Sequence, residues 1–210
     1  SGERGRVVLE TSNLVGKDKH YRGDKMIRHW VTHLASHLAG GPLTTMIVSL
    51  KGEVELKPIE IGEAEAYFKV LLVAWQLGMR QPLPLAAKTA FAWLKAMPAP
   101  VQDTAGAKGI TNETESPDGG PDVAPPVPES TLDKAMEAAR KAYEGAFMQQ
   151  GEVDTCAYLQ RAYPDFDALF ADGEFAKLAE SLLRPLQRAI PAIPKKTDKS
   201  TAQTDAGVAA

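Results

Sequence analysis

The chain has 210 residues, 44 % of them apolar, a formal net charge of −3 and one cysteine, Cys156. That is enough apolar material for one folded domain with tails or a large insertion, and it excludes wholesale disorder. It also excludes a global basic field for nucleic acid and an intrachain disulfide; the longest apolar run, Val70 to Trp75, falls well short of the about 20 residues of a spanning helix. A single cysteine suits a reducing compartment. No signal-peptide pattern is present, and the Ser-Gly start without Met suggests an excised fragment or a tag scar.

Arg6 to Thr11 (RVVLET) is β-branched and apolar and predicts a short strand. A helix is expected from Asp24 to Ala39, where Met26, Ile27, Trp30, Val31, Leu34, Ala35 and Leu38 recur at three and four; Gly40-Gly41-Pro42 stops it. Thr45–Leu50 and Glu53–Ile61 read as a hairpin turning at Lys51-Gly52, with Pro58 pushing the second strand to an edge. Gly62 to Met79 predicts a helix apolar on nearly all sides, with Tyr67, Phe68, Leu71, Leu72 and Trp75 as its main stripe, so a central position is expected. Ala86 to Met97 predicts another helix, carrying Phe91, Trp93 and Leu94.

From Val101 to Ser130, dense Gly and Pro and an excess of acids predict a disordered insertion. The S-x-x-D spacing of Ser130 and Asp133 predicts a capped helix start. That helix should run to Phe147, burying Leu132, Ala135, Met136, Ala139, Tyr143 and Phe147. Asp154 is placed to cap a short helix through Tyr163. A last helix, Glu174 to Arg184, turns Phe175, Leu178, Ala179 and Leu182 inward and should end or kink at Pro185. The order predicts an α/β fold, a small sheet flanked by helices with a helical C-terminal extension. The expected division is a core over 1–100, the insertion over 101–130, the helical remainder of the same domain over 131–193, and a disordered tail over 194–210.

The stretch HWVTHLASHL places His29, His33 and His37 at every fourth position. A rise of about 1.5 Å per residue separates the outer two by about 12 Å, so the three cannot share one ion. Between His29 and His33 lie Trp, Val and Thr, with no acid to act as a base. No physiological metal site is expected; the histidines read as a polar face beside Trp30 and Leu34, with either neighbouring pair able to pick up adventitious zinc or nickel. Lys17, Lys19, Arg22, Lys25 and Arg28 form the most cationic stretch, opposed by Asp18 and Asp24. They are candidates for contact with a phosphate backbone or an acidic partner, against the plainer reading of a solvated face.

Three segments in order, WVTHLASHLAG (30–40), LPLAAKTAFAWLK (83–95) and KAYEGAFMQQGEVD (141–154), resemble the C-terminal region of the RecC family, the gamma subunit of exodeoxyribonuclease V. The resemblance spans Val7 to Leu186 outside the insertion and implies a degenerate PD-(D/E)XK nuclease-like core. In an active member of that fold an acid ends one strand and D/E-x-K follows on the next, holding the metal that activates water. Strand RVVLETSNL would take the second position, with Glu10 as the acid and Ser12 where lysine belongs. One carboxylate and no lysine make no magnesium site, so no catalytic residue is expected and Glu10 reads as a solvent-exposed strand-end acid. Trp30 and Leu34 read as core, Lys88 as a surface lysine, and Tyr143, Glu144 and Gly145 as a helix end. Gly151, Glu152 and Asp154 read as a glycine turn followed by a cap.

The resemblance implies a non-catalytic domain scaffolding a bacterial, cytoplasmic complex that unwinds and degrades DNA ends and prepares recombination. Its partners would be RecB-type and RecD-type motor subunits and DNA, with ATP and Mg²⁺ acting in those subunits, no cofactor here and no membrane. A diverged metal-dependent nuclease and a stand-alone helical protein-binding module are the rival expectations.

Overall fold

The computed structural model describes residues 4–17, 19–98, 128–191 and 193. The insertion expected over 101–130 lies outside them except for its last three residues, and so does the tail expected over 194–210. Among the described residues no helix is long and apolar enough to cross a membrane.

Strand β1 (Gly5–Glu10) leads through a 3₁₀ turn (Gly23–Lys25) into helix α1 (Ile27–Gly40), which returns the chain to β2 (Thr44–Ser49). β1 pairs parallel with β2, as a strand–helix–strand unit requires, and β3 (Glu53–Leu56) pairs antiparallel with β2. Gly52, at φ +97, supplies the left-handed residue of the hairpin turn. β3 stops at Leu56 rather than at Ile61, ahead of Pro58, and is the edge strand expected. The register aligns two faces. Thr45, Ile47, Val54 and Leu56 are buried against Trp30 and Leu34 of α1, whereas Val7, Leu9, Glu53 and Glu55 lie on the exposed face.

Helix α2 (Ile61–Gly78) departs from expectation. It is not central: only Ala64 is fully buried, Tyr67, Phe68 and Leu71 pack partly against the sheet core, and Val73 and Trp75 are 65 % and 61 % exposed. It lies along α1, and no second layer among the described residues covers its outer faces.

Helix α3 (Ala87–Ala96) packs along α4 (Glu129–Glu144), where Ala90 meets the small buried residues Ala135 and Ala139 and the two axes can approach closely. α4 starts one residue before Ser130, with Pro128 at the cap position and no side-chain cap, so the Ser130–Asp133 cap is not formed. Nor does α4 reach Phe147. Gly145, at φ +88, ends it, its N–H donating to Lys141 O, and a tight hairpin follows, β4 (Gly145–Ala146) with β5 (Gln149–Gln150). Phe147, at the hairpin tip, is 96 % exposed, and Leu132 is exposed too.

After a 3₁₀ turn (Val153–Thr155) come α5 (Ala157–Ala162), α6 (Phe166–Phe170) and α7 (Glu174–Leu178). α6 was not expected, although Asp165 caps it by accepting the Ala168 N–H. Asp154 does not cap α5; it sits in the 3₁₀ turn and accepts from Gly151 N–H. Pro185 does not stop the last helix. The chain widens into a π turn (Ala179–Leu183) and resumes as α8 (Arg184–Ala189), which accommodates the missing proline N–H. Trp93, Tyr143, Phe166, Leu169, Phe175 and Leu183 fill this second, helical core. Ile27, Leu71 and Phe91 pack against both cores.

Candidate functional site

The C-terminal end of β1 and the first turn of α1 face each other, the usual position for a site in an α/β unit. Glu10 ends β1 and is buried, not solvent-exposed as expected. Its Oε1 accepts the Ser12 N–H at 2.9 Å, and its Oε2 lies 2.8 Å from His29 Nε2 and 2.5 Å from Arg28 Nη2. A carboxylate can only accept, so His29 Nε2 carries the proton it donates. The Ser12 N–H, then His29 and Arg28, hold the Glu10 carboxyl down at about pKa 2 against the opposing effect of burial.

The histidines lie inside the sheet–helix layer, so the polar-face reading fails: His29, His33 and His37 are all buried. His33 Nε2 faces the Lys57 carbonyl at 3.2 Å and must donate, leaving Nδ1 to accept from the Thr45 hydroxyl at 2.9 Å. His37 Nδ1 donates to the His33 carbonyl at 2.9 Å, and Nε2 accepts the Ile59 N–H at 3.1 Å. Each ring is thereby fixed in one neutral tautomer with its lone pair in use. This pair has no electrons to offer zinc or nickel, which corrects the adventitious-metal expectation for His33/His37. Burial, and then the neighbouring His37, push His33 down to about pKa 4. Among the described residues no cluster of three or more His, Cys, Asp or Glu side chains is arranged to hold a metal ion.

The basic patch is largely neutralised at one end. Arg22 and Lys25 reach Asp24 at 3.2 and 3.8 Å, and Arg28 belongs to Glu10. Lys17 and Lys19 are exposed. The partnership of Glu10 with Arg28 and His29 was missed in the sequence, although a parallel strand–helix unit brings a strand's end to the next helix's first turn.

At the far side of the molecule, Glu152 is a tertiary cap. Its carboxylate accepts from Lys88 N–H at 3.1 Å, Thr89 N–H at 2.8 Å and the Thr89 hydroxyl at 2.9 Å, satisfying free donors at the N-terminus of α3. Gly151 precedes it because a Cβ there would lie 2.2 Å from Tyr143 O. Lys88 is exposed, as read from the sequence, and Tyr143 is buried with its hydroxyl donating to Tyr163 O.

This arrangement defines a small mixed α/β unit with a closed carboxylate at the strand end, backed by a helical bundle. Residues 2–98 match the family model of the RecC C-terminal domain. The matched residues, which comprise the sheet with α1 to α3, are thus similar to a RecC C-terminal domain. The segment KAYEGAFMQQGEVD, read as part of the same resemblance, lies beyond the matched residues. No curated protein matches the sequence.

Proposed function

We propose that the chain is a non-catalytic domain of a RecC-type subunit, acting as scaffold in a RecBCD-type helicase–nuclease that unwinds and degrades DNA ends. The match over residues 2–98 supports the RecC-type role. The observation that carries the non-catalytic reading is the Glu10 carboxylate, already engaged by two cationic or donor side chains of its own chain. A divalent ion would have to displace Arg28 and His29, and Ser12 stands where a lysine would orient water. The strand–helix–parallel strand order with an acid at the first strand's end is consistent with a degenerate PD-(D/E)XK core.

In this reading RecB-type and RecD-type motor subunits are the partners, in a bacterial cytoplasm, with ATP and Mg²⁺ acting in those subunits. Lys17, Lys19, Arg22 and Lys25 face an acidic neighbour or the DNA backbone. The test is co-purification with the motor subunits. Charge reversal at Lys17, Lys19, Arg22 and Lys25 should reduce capture, and unchanged capture removes the patch from the docking role. Arg28 is kept native because reversing it would release Glu10. Mg²⁺-dependent cleavage of labelled duplex by the purified chain, abolished by Glu10→Ala, would replace the scaffold reading with that of a diverged nuclease.

A further inference from the structure

Most of the segment KAYEGAFMQQGEVD goes into bracing the β4–β5 hairpin from below. The Glu152 N–H donates to Ala142 O at 3.0 Å, Asp154 accepts the Gly151 N–H at 3.1 Å, and Glu144 accepts the Phe166 N–H at 2.9 Å. At Gly145 and Gly151 a Cβ would strike backbone at 2.4 and 2.2 Å, so the two legs of the hairpin close tightly. What this base holds up is a two-residue tip, Phe147 and Met148.

The tip is the wrong chemistry for a turn in water. Phe147 and Met148 are 96 % and 93 % exposed. Met148 also takes φ +60, a left-handed backbone that side chains with a Cβ disfavour. Glycine or asparagine would fit that position without strain and without apolar surface in solvent. Two locally unfavourable choices on a rigid base mark a contact element rather than a connecting loop.

Charge narrows what the tip meets. From Ala142 to Gln160 the chain carries Glu144, Glu152 and Asp154 and no Lys, Arg or His. A nucleic-acid duplex, with one negative charge per about 1.7 Å of its axis, is repelled there. A second copy meeting it tip to tip would set the same acids against each other.

We propose that Phe147 and Met148 anchor the chain to a partner protein by inserting into an apolar pocket with a basic rim. The choice of partner rests on the motor-subunit reading above; the anchoring role rests on the hairpin. An aromatic side chain seated in a pocket carries a large share of an interface's affinity. The bracing sets the shape of the tip before contact, so little ordering remains to oppose binding.

The experiment uses the full chain and each purified motor subunit. With photoreactive p-benzoylphenylalanine in place of Phe147, irradiation should cross-link the chain to one motor subunit, at a stretch of apolar residues flanked by Lys or Arg. Phe147→Ser with Met148→Gly should weaken capture of that subunit about thirtyfold, the scale of losing an interface hot spot. Met148→Gly alone should keep or raise the melting temperature, because glycine relieves the left-handed backbone. A paired variant that melts as the native chain does has then lost binding and not its fold. A native chain that captures no motor subunit overturns the motor-subunit reading and this proposal together. Undiminished capture by the paired variant overturns this proposal and leaves that reading standing. So do cross-links to duplex DNA, to a second copy, within the chain itself or to an acidic stretch of the subunit.

Discussion

Under the sheet, the buried side chains of α1 are His29, Trp30, His33, Leu34 and His37, and the facing strands add Thr45 and Glu10. Around α3 and α4 the buried set is Trp93, Leu94, Tyr143, Phe166, Leu169 and Phe175, with ring pairs such as Trp93–Phe170 at 5.2 Å and Phe166–Phe170 at 5.4 Å. The first core is specified by directional hydrogen bonds, because each imidazole must find a donor and an acceptor at fixed positions. The second is specified by volume and shape, which tolerate change only at the cost of a cavity. The family match covers the first core apart from Leu186 and its neighbours on α8, and the α3 wall of the second. The difference teaches where each region is fragile: the sheet layer to pH and to loss of single polar atoms, the helical layer to truncation of large side chains.

The sharpest way to break that contrast is to truncate the helical core. Phe175→Ala should cost about 3–5 kcal/mol in denaturant unfolding, since Phe175 is fully buried and its cavity cannot collapse around neighbouring rings. Next comes pH. His33 is neutral in the folded chain down to about pH 4, whereas the unfolded imidazole titrates at its ordinary value of 6.5. The unfolded state therefore binds the proton first, and stability is lost as pH falls from 6.5 towards 4, by up to about 3 kcal/mol. His33→Gln should flatten that limb of the pH–stability curve, measured by chemical denaturation, while Phe175→Ala shifts the whole curve without changing its shape.

Glu10→Gln comes third. It should cost about 2 kcal/mol at neutral pH by weakening three charge-assisted bonds. Because the folded Glu10 titrates at about 2, below its ordinary value of 4.5, its contribution is complete above 4.5 and fades as pH falls towards 2. The gap between wild type and Glu10→Gln should therefore close in acid. Glu152→Gln should cost about 1–2 kcal/mol through weaker capping of α3, seen as faster amide exchange at Lys88 and Thr89. Smallest of all, Val73→Gln should change unfolding free energy by less than about 0.5 kcal/mol, because that face of α2 meets nothing among the described residues.

The last of these returns to α2, whose apolar residues suggested a central helix. Periodicity tells which side chains share a face but not whether a second layer exists to cover it, so α2 was legible as a helix and misplaced as core. Helix ends depended on single residues in context. Gly145 at positive φ stopped α4 before Phe147, and Pro185, expected to end or kink the last helix, was absorbed by a π turn because the flanking residues Leu182, Leu183 and Leu186 remain buried. Glu10 and Ser12 were picked out by the family resemblance, but the burial of Glu10 depends on α1 folding back over it.

What the sequence by itself determined is local. It set the β-α-β-β-α-α order, the hairpin at Gly52 and the Trp30/Leu34 stripe, all of them readable from nearest neighbours and spacing. Only the tertiary structure decided that His29 meets Glu10 across 19 residues and that Glu152 caps Thr89 across 63. The reason is physical. Backbone torsions and side-chain periodicity act over a few residues, whereas a buried polar atom must find its partner wherever packing brings one within hydrogen-bond reach.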